Sequence, residues 1–293
     1  MLRISHLNKY FGSFHVTQDV NLSVASGTIF GLLGPNGAGK TTIIRMINNI
    51  YIPESGTITW NDTNLLNNNN RRLTGYLPEE RGLYPKMTVM EVLRFFAEIK
   101  GVPVNKELTQ KILEKLEQFQ IKDSANAKIH TLSKGMQQKV QIIAPLLHDP
   151  ELIIFDEPFT GLDPVNTRTL KDLIHQLASE GKTVILSTHR MEQAEELCQN
   201  IALVSKGQII LDGSVEEIKL NHRTNTYFLK TASGLPDHIP GEITHQTHNT
   251  VTFTSQPTEV TPFLKQTMES HDLIDFHEVL PTLEDIFIEK VSN

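Results

Sequence analysis

The chain has 293 residues, 34 acidic against 27 basic, for a net charge of −7, a size that allows one large domain and a small one. The acidic balance argues against a nucleic-acid surface, which needs a basic stripe. Its one cysteine, Cys198, excludes an internal disulfide and fits a reducing cytoplasm; the N-terminus has no apolar signal core, and no apolar run approaches the ~20 residues that span a bilayer.

Residues 1–30 read as short strands, followed by a second strand pair around Gly56 to Trp60. Thr28 to Leu33 reads as a buried strand. It leads into Gly34-Pro35-Asn36-Gly37-Ala38-Gly39-Lys40-Thr41-Thr42, which fills the pattern G-x-x-x-x-G-K-T. Glycines let successive N–H groups point inward at a phosphate chain, and the helix starting near Lys40 adds its positive dipole end. The nucleotide-binding candidates are therefore Gly34, Asn36, Gly37, Ala38, Gly39, Lys40, Thr41 and Thr42. Lys40 is expected to reach the β- and γ-phosphates and Thr41 to ligate Mg²⁺.

Asn67 to Asn70 is a low-complexity polar loop without an assigned role. Residues from about 83 to 145 read mostly as helices. Val89, Val92, Leu93, Phe96 and Ile99 mark one amphipathic face; Ile112, Leu113, Leu116 and Phe119 mark another. Ser133 precedes a helical pattern and is a candidate N-cap. Leu152 to Phe155 is a continuous apolar run, as expected of a parallel strand covered on both faces. It ends in Asp156 and Glu157, and ligands of open α/β sheets gather at the carboxyl ends of strands. Asp156 is the candidate magnesium carboxylate and Glu157 the candidate general base for an attacking water. Thr183 to Leu186 is a further buried strand and delivers His189 to the same edge, where its imidazole can meet the γ-phosphate.

From about His222 the character changes, with Thr, His and Pro frequent. Thr224 to Lys230 and Asn249 to Thr254 read as strands, and Pro257 to Ser270 as a helix. Thr282 is a candidate N-cap for a last helix whose apolar face is Leu283, Ile286, Phe287 and Val291.

These motifs, in this order over residues 1 to about 220, resemble the ATP-binding cassette family. The resemblance implies an α/β fold: a phosphate-loop nucleotide-binding domain with a parallel-sheet core, an antiparallel β subdomain and a helical subdomain at about 83–145. A small α+β domain at 221–293 follows. Phe11 falls where the family places an adenine-stacking aromatic. Leu132-Ser133-Lys134-Gly135-Met136 resembles the family signature, usually LSGGQ. Ser133 and Gly135 are retained, while Lys134 and Met136 depart. In the family this segment caps the γ-phosphate held by the other subunit. Gly161-Leu162-Asp163 resembles a dimer-contact loop, and Leu83-Tyr84-Pro85 lies in the region that faces the membrane partner. Glu79 stands where the family's lid-hinge glutamine is usual, and it can still sense the metal. The ending LPTLEDIFIE resembles the drug- and sodium-exporter branch of bacterial subunits.

The resemblance implies an ATPase motor that binds ATP and Mg²⁺ and dimerises, as two identical copies or as a mixed pair. It would work on the cytoplasmic face of the membrane through an integral permease on another chain. A soluble cassette acting on nucleic acid or ribosomes fits less well. Only one cassette is present, and the interval from Lys40 to Ser133 is too short for the coiled-coil insert of repair cassettes. A binder without turnover would require a lost base, whereas Glu157 is present.

Overall fold

A computed structural model describes residues 1–67, 72–80 and 82–292. Asn68 to Asn70 of the polar loop, and Arg81, lie outside the described residues. The chain divides into two units, Met1–Gly213 and Ser214–Asn293.

The first unit opens with β1 (Leu2–Phe11) and β2 (Phe14–Val24). They form one long antiparallel pair instead of several short strands. β3 (Ile29–Leu33) follows, then α1 (Lys40–Ile47), β4 (Ser55–Trp60), β5 (Thr63–Asn64) and β6 (Thr74–Leu77). The helices α2 (Val89–Ile99), α3 (Lys106–Gln118) and α4 (Lys134–Ile143) come next. The unit continues through β7 (Leu152–Asp156), α5 (Pro164–Ser179), β8 (Thr183–Thr188), α6 (Met191–Leu197), β9 (Asn200–Ser205) and β10 (Gln208–Ser214). One sheet has the order β2-β1-β4-β5 and is antiparallel; the other has the order β10-β9-β3-β8-β7-β6. β3 runs parallel to β8 and β9, and β7 runs parallel to β6 and β8.

Every residue of β3, β7 and β8 is buried, which is why these strands read as continuous apolar runs and not as alternations. Each fully buried large side chain there, such as Phe155, contributes about 1.5–3 kcal/mol before entropy is counted. Phe30, Leu32, Ile44, Ile154 and Ile185 belong to one core that also takes in Ile4 and Ile58 of the antiparallel sheet. The helix starts follow from local hydrogen bonding. Thr88 and Glu91 form a reciprocal capping box at α2, Asn105 caps α3 and Ser133 caps α4.

The apolar stripe of α2 divides between two roles. Val89, Val92 and Leu93 are fully buried, whereas Ile99 is exposed and Phe96 lines a groove. α6 ends at Leu197, so Cys198 caps the helix while Asn200 already belongs to β9. Among the described residues no helix is long and apolar enough to cross a membrane.

The second unit contains α7 (Val215–Asn221), β11 (Thr226–Thr231), β12 (Glu242–Gln246), β13 (Thr250–Thr254), α8 (Pro257–Ser270), β14 (Leu273–Val279) and α9 (Leu283–Ser292). The composition changes at about His222, but α7 packs against α9, so the unit starts at Ser214. Its antiparallel sheet has the order β12-β13-β11-β14. Leu229, Val251, Phe253, Val260 and Phe263 form its core. Thr282 caps α9, accepting from the Asp285 N–H at 3.1 Å. Leu283 and Ile286 are buried, but Val291 is exposed and does not join their face.

Candidate active site at the carboxyl edge of the parallel sheet

A cavity of about 390 Å³ opens at the carboxyl ends of β3 and β7. It is lined by Asn36, Gly37, Ala38, Gly39, Lys40, Thr41 and Thr42, with Phe11 and Val16 from the antiparallel sheet and with Glu79 and Glu157. The loop is built on backbone conformations that L side chains disfavour. Gly34 has φ +144°, and a Cβ there would lie 2.2 Å from the Val204 carbonyl oxygen. Gly39, with φ +108°, stands at the N-cap of α1 without a capping side chain, so the first helical N–H groups are left for a ligand.

The Lys40 ammonium is buried and donates to the carbonyls of Gly34 at 2.7 Å and Pro35 at 3.2 Å. Burial holds its pKa below the ordinary lysine value, against the opposing charges of Glu157, Asp156 and Glu79. Lys40 Nζ lies 3.7 Å from Glu157 Oε1. Glu157 follows β7 with φ +48°, and its N–H donates to the Ser187 carbonyl at 3.1 Å. His189 Nδ1 lies 2.9 Å from Glu157 Oε1, so in this structure the imidazole meets the acid.

Asp156 is 1% exposed, and three hydroxyls satisfy it. Thr41 donates at 3.4 Å and Tyr76 at 3.3 Å, and Ser187 makes a short hydrogen bond. A buried carboxylate needs such partners to offset its lost hydration. Thr41 and Asp156 thus place two hard oxygen donors side by side, a pairing that fits Mg²⁺ completed by phosphate and water. Among the described residues no three His, Cys, Asp or Glu converge as a metal cluster, so Glu79 lines the cavity without joining Asp156 and Glu157 in one. Phe11 is half-exposed at the cavity and meets Tyr51 edge-on at 5.3 Å. Ser133 and Gly135 are not among the residues that line it.

Sequence reasoning missed Tyr76 and Ser187 as partners of Asp156. Ser187 sits opposite Asp156 in the β7–β8 register, and Tyr76 is the penultimate residue of a strand parallel to β7. The signal was the shared sheet edge, which a strand order makes visible and a lone hydroxyl does not.

A family profile described as ABC transporter matches residues 17–160, and one described as the ATP-binding protein DrrA1-3-like C-terminal domain matches residues 213–291. An uncharacterized ABC transporter ATP-binding protein of Methanocaldococcus jannaschii is 38% identical over 99% of this chain and 98% of its own length. YhaQ of Bacillus subtilis, similarly described, is 44% identical over 75% of this chain and 73% of its own. The linearmycin resistance ATP-binding protein LnrL of B. subtilis is 31% identical over 98% of this chain and 97% of its own. Among solved structures, an ATP-binding subunit of an ABC transporter superposes with a TM-score of 0.70 at 31% identity, over 75% of this chain and 92% of that one. A dimeric post-hydrolysis cassette bound to ADP and Pi gives 0.67 at 25% identity, over 73% and 99%.

A phosphate loop, a buried strand ending in two acids and a parallel sheet joining them define a nucleotide hydrolase of the phosphate-loop α/β class. The chain belongs to the ATP-binding subunits of ABC transporters. It is an ATPase of that family.

Proposed function

We propose that this chain is the motor subunit of an exporter. In this reading it dimerises around two Mg-ATP and drives a separate membrane permease. The observation that carries the proposal is the convergence of Lys40, Asp156 and Glu157 at one sheet edge. Phe11 stacks on the adenine, and Gly34 to Thr42 hold the phosphates, with Lys40 leaving its carbonyl partners for the β- and γ-oxygens. Thr41 and Asp156 hold Mg²⁺, which when bound neutralises charge on the phosphates. Glu79 at the cavity wall senses the metal and links it to the partner. Glu157 takes the proton of a water that attacks the γ-phosphorus, releasing phosphate and leaving ADP. His189 orients Glu157 and meets the γ-phosphate once nucleotide is present.

The position of Ser133 and Gly135 outside their own chain's cavity supports a site completed by the signature of a second subunit. Two structures of one dimeric cassette among the structural relatives support the same arrangement. A second cavity of about 380 Å³, lined by Ile50, Leu83 and Phe96, supports docking of the permease beside the helical region. Asn48 in its wall keeps a solvent-shielded Oδ1 without a partner, an acceptor for a donor on that chain. Residues 221–293 serve as an accessory domain. The names of relatives, linearmycin resistance and Nod factor export, support export as the direction. The protein then sits on the cytoplasmic face of the membrane through its permease, and binds no nucleic acid.

The test is oligomeric state by light scattering with ATP and Mg²⁺. Glu157→Gln is expected to accumulate as an ATP-bound dimer. Adding Ser133→Asp, which keeps a good helix cap but sets a charge against phosphate, is expected to return it to a monomer that still binds ATP. A dimer indifferent to Ser133→Asp would refute the composite site.

A further inference from the structure

Tyr76 of β6 lines one cavity of the first unit and hydrogen-bonds an acid that in turn accepts from Thr41, in the wall of another. Its ring lines the apolar groove together with Ile50, Leu83 and Phe96, while its hydroxyl reaches Asp156 Oδ2 at 3.3 Å. Asp156 itself stands at the other cavity through Thr41. Arg45 of α1 donates to the Tyr51 hydroxyl at 3.0 Å. The Tyr76 O–H donates to the carboxylate. The Tyr76–Asp156 bond is long, so a small displacement of the ring either makes or breaks it. A rigid ring with one end against an open groove and the other against a buried acid transmits displacement of the first to the second.

We propose that Tyr76 is a positioning residue that aims Asp156 at the metal and through which a permease segment seated in the groove acts on metal binding. This rests on the reading of Asp156 as the magnesium carboxylate. Hydrogen-bond partners of ligating carboxylates typically change metal affinity about 10- to 100-fold when removed. The long bond places the expected effect at the lower end of that range.

Tyr76→Phe keeps the ring and deletes the hydroxyl alone. Mn²⁺ serves as the probe, titrated by electron paramagnetic resonance with a non-hydrolysable ATP analogue bound. Tyr76→Phe is expected to weaken Mn²⁺ about 10-fold and to leave metal-free binding of the analogue unchanged. Asp156→Asn is the control. If Mn²⁺ affinity survives that change, the reading of Asp156 is wrong. If Asp156→Asn weakens Mn²⁺ and Tyr76→Phe does not, Tyr76 has no positioning role. To fill the groove without a partner, Ile50→Cys is alkylated with a bulky maleimide; Ile50 is exposed, and Cys198 is buried with its pKa pushed up to about 12. Alkylation is expected to shift Mn²⁺ affinity at least 3-fold when Tyr76 is present and not at all beside Tyr76→Phe. Equal shifts in both, or none in either, would overturn the coupling.

Discussion

Replacing Glu157 with glutamine tests the chemistry and the electrostatics of the site together. The side chain is almost wholly buried, and both of its contacts, with His189 at 2.9 Å and Lys40 at 3.7 Å, use Oε1. Glutamine preserves the shape and removes the proton acceptor, so hydrolysis is expected to fall about 10²- to 10⁴-fold, measured as phosphate release with saturating Mg-ATP. The same change alters Lys40. Burial holds its pKa down, and Glu157 is the largest opposing influence. Loss of that charge lowers the Lys40 pKa further, so the ammonium is lost at a lower pH than in the parent. Metal-free ATP affinity, followed with a fluorescent analogue, is therefore expected to keep its plateau near neutrality. Its alkaline decline is expected to move to lower pH. Turnover within 3-fold of the parent would refute the role of Glu157 as base. An alkaline limb that stays in place or moves upward would refute the account of Lys40.

Phe11→Ala is expected to weaken ATP about 5- to 150-fold, the equivalent of roughly 1–3 kcal/mol of stacking, with inorganic tripolyphosphate unaffected in a competition assay. Gly34→Ala forces a Cβ to 2.2 Å from the Val204 carbonyl; a lower Tm and loss of ATP binding are expected, read by thermal scan and calorimetry. His148 is half-buried with Nε2 at 3.0 Å from the Thr74 carbonyl, and desolvation lowers its pKa to about 4. The unfolded chain, with a histidine pKa near 6.5, binds more protons between those values. This group's stabilising contribution is full above pH ~6.5, falls as pH drops, and levels off below about 4. Denaturant midpoints across that range are expected to depend less on pH in His148→Gln.

The buried strands and their acids were legible in the sequence because a parallel strand covered on both faces leaves an unbroken apolar run. That run put Asp156 and Glu157 at the carboxyl end of a strand, and only its pairing with the phosphate loop upstream made them candidates for the site. The phosphate loop was legible because its glycines answer to backbone geometry, as Gly34 shows. What stayed hidden depends on neighbours from other strands. Tyr76 and Ser187 reach Asp156 only because β6, β7 and β8 lie side by side, and no local pattern encodes that order. β12 escaped notice since all five of its residues are exposed, which leaves no alternation to read. Phe96 and Ile99 follow the period of α2 but face a groove and solvent, because periodicity reports an apolar face and not what covers it.

The absence of Ser133 and Gly135 from their own chain's cavity has a kinetic consequence. If each reaction centre needs two chains, turnover of the isolated protein is second order in subunit at low concentration, and activity per milligram falls on dilution. Two copies fixed on one permease escape that dependence, since tethering replaces bulk concentration by a local one in the millimolar range. The transporter complex would then keep its specific activity at dilutions where the free subunit falls silent.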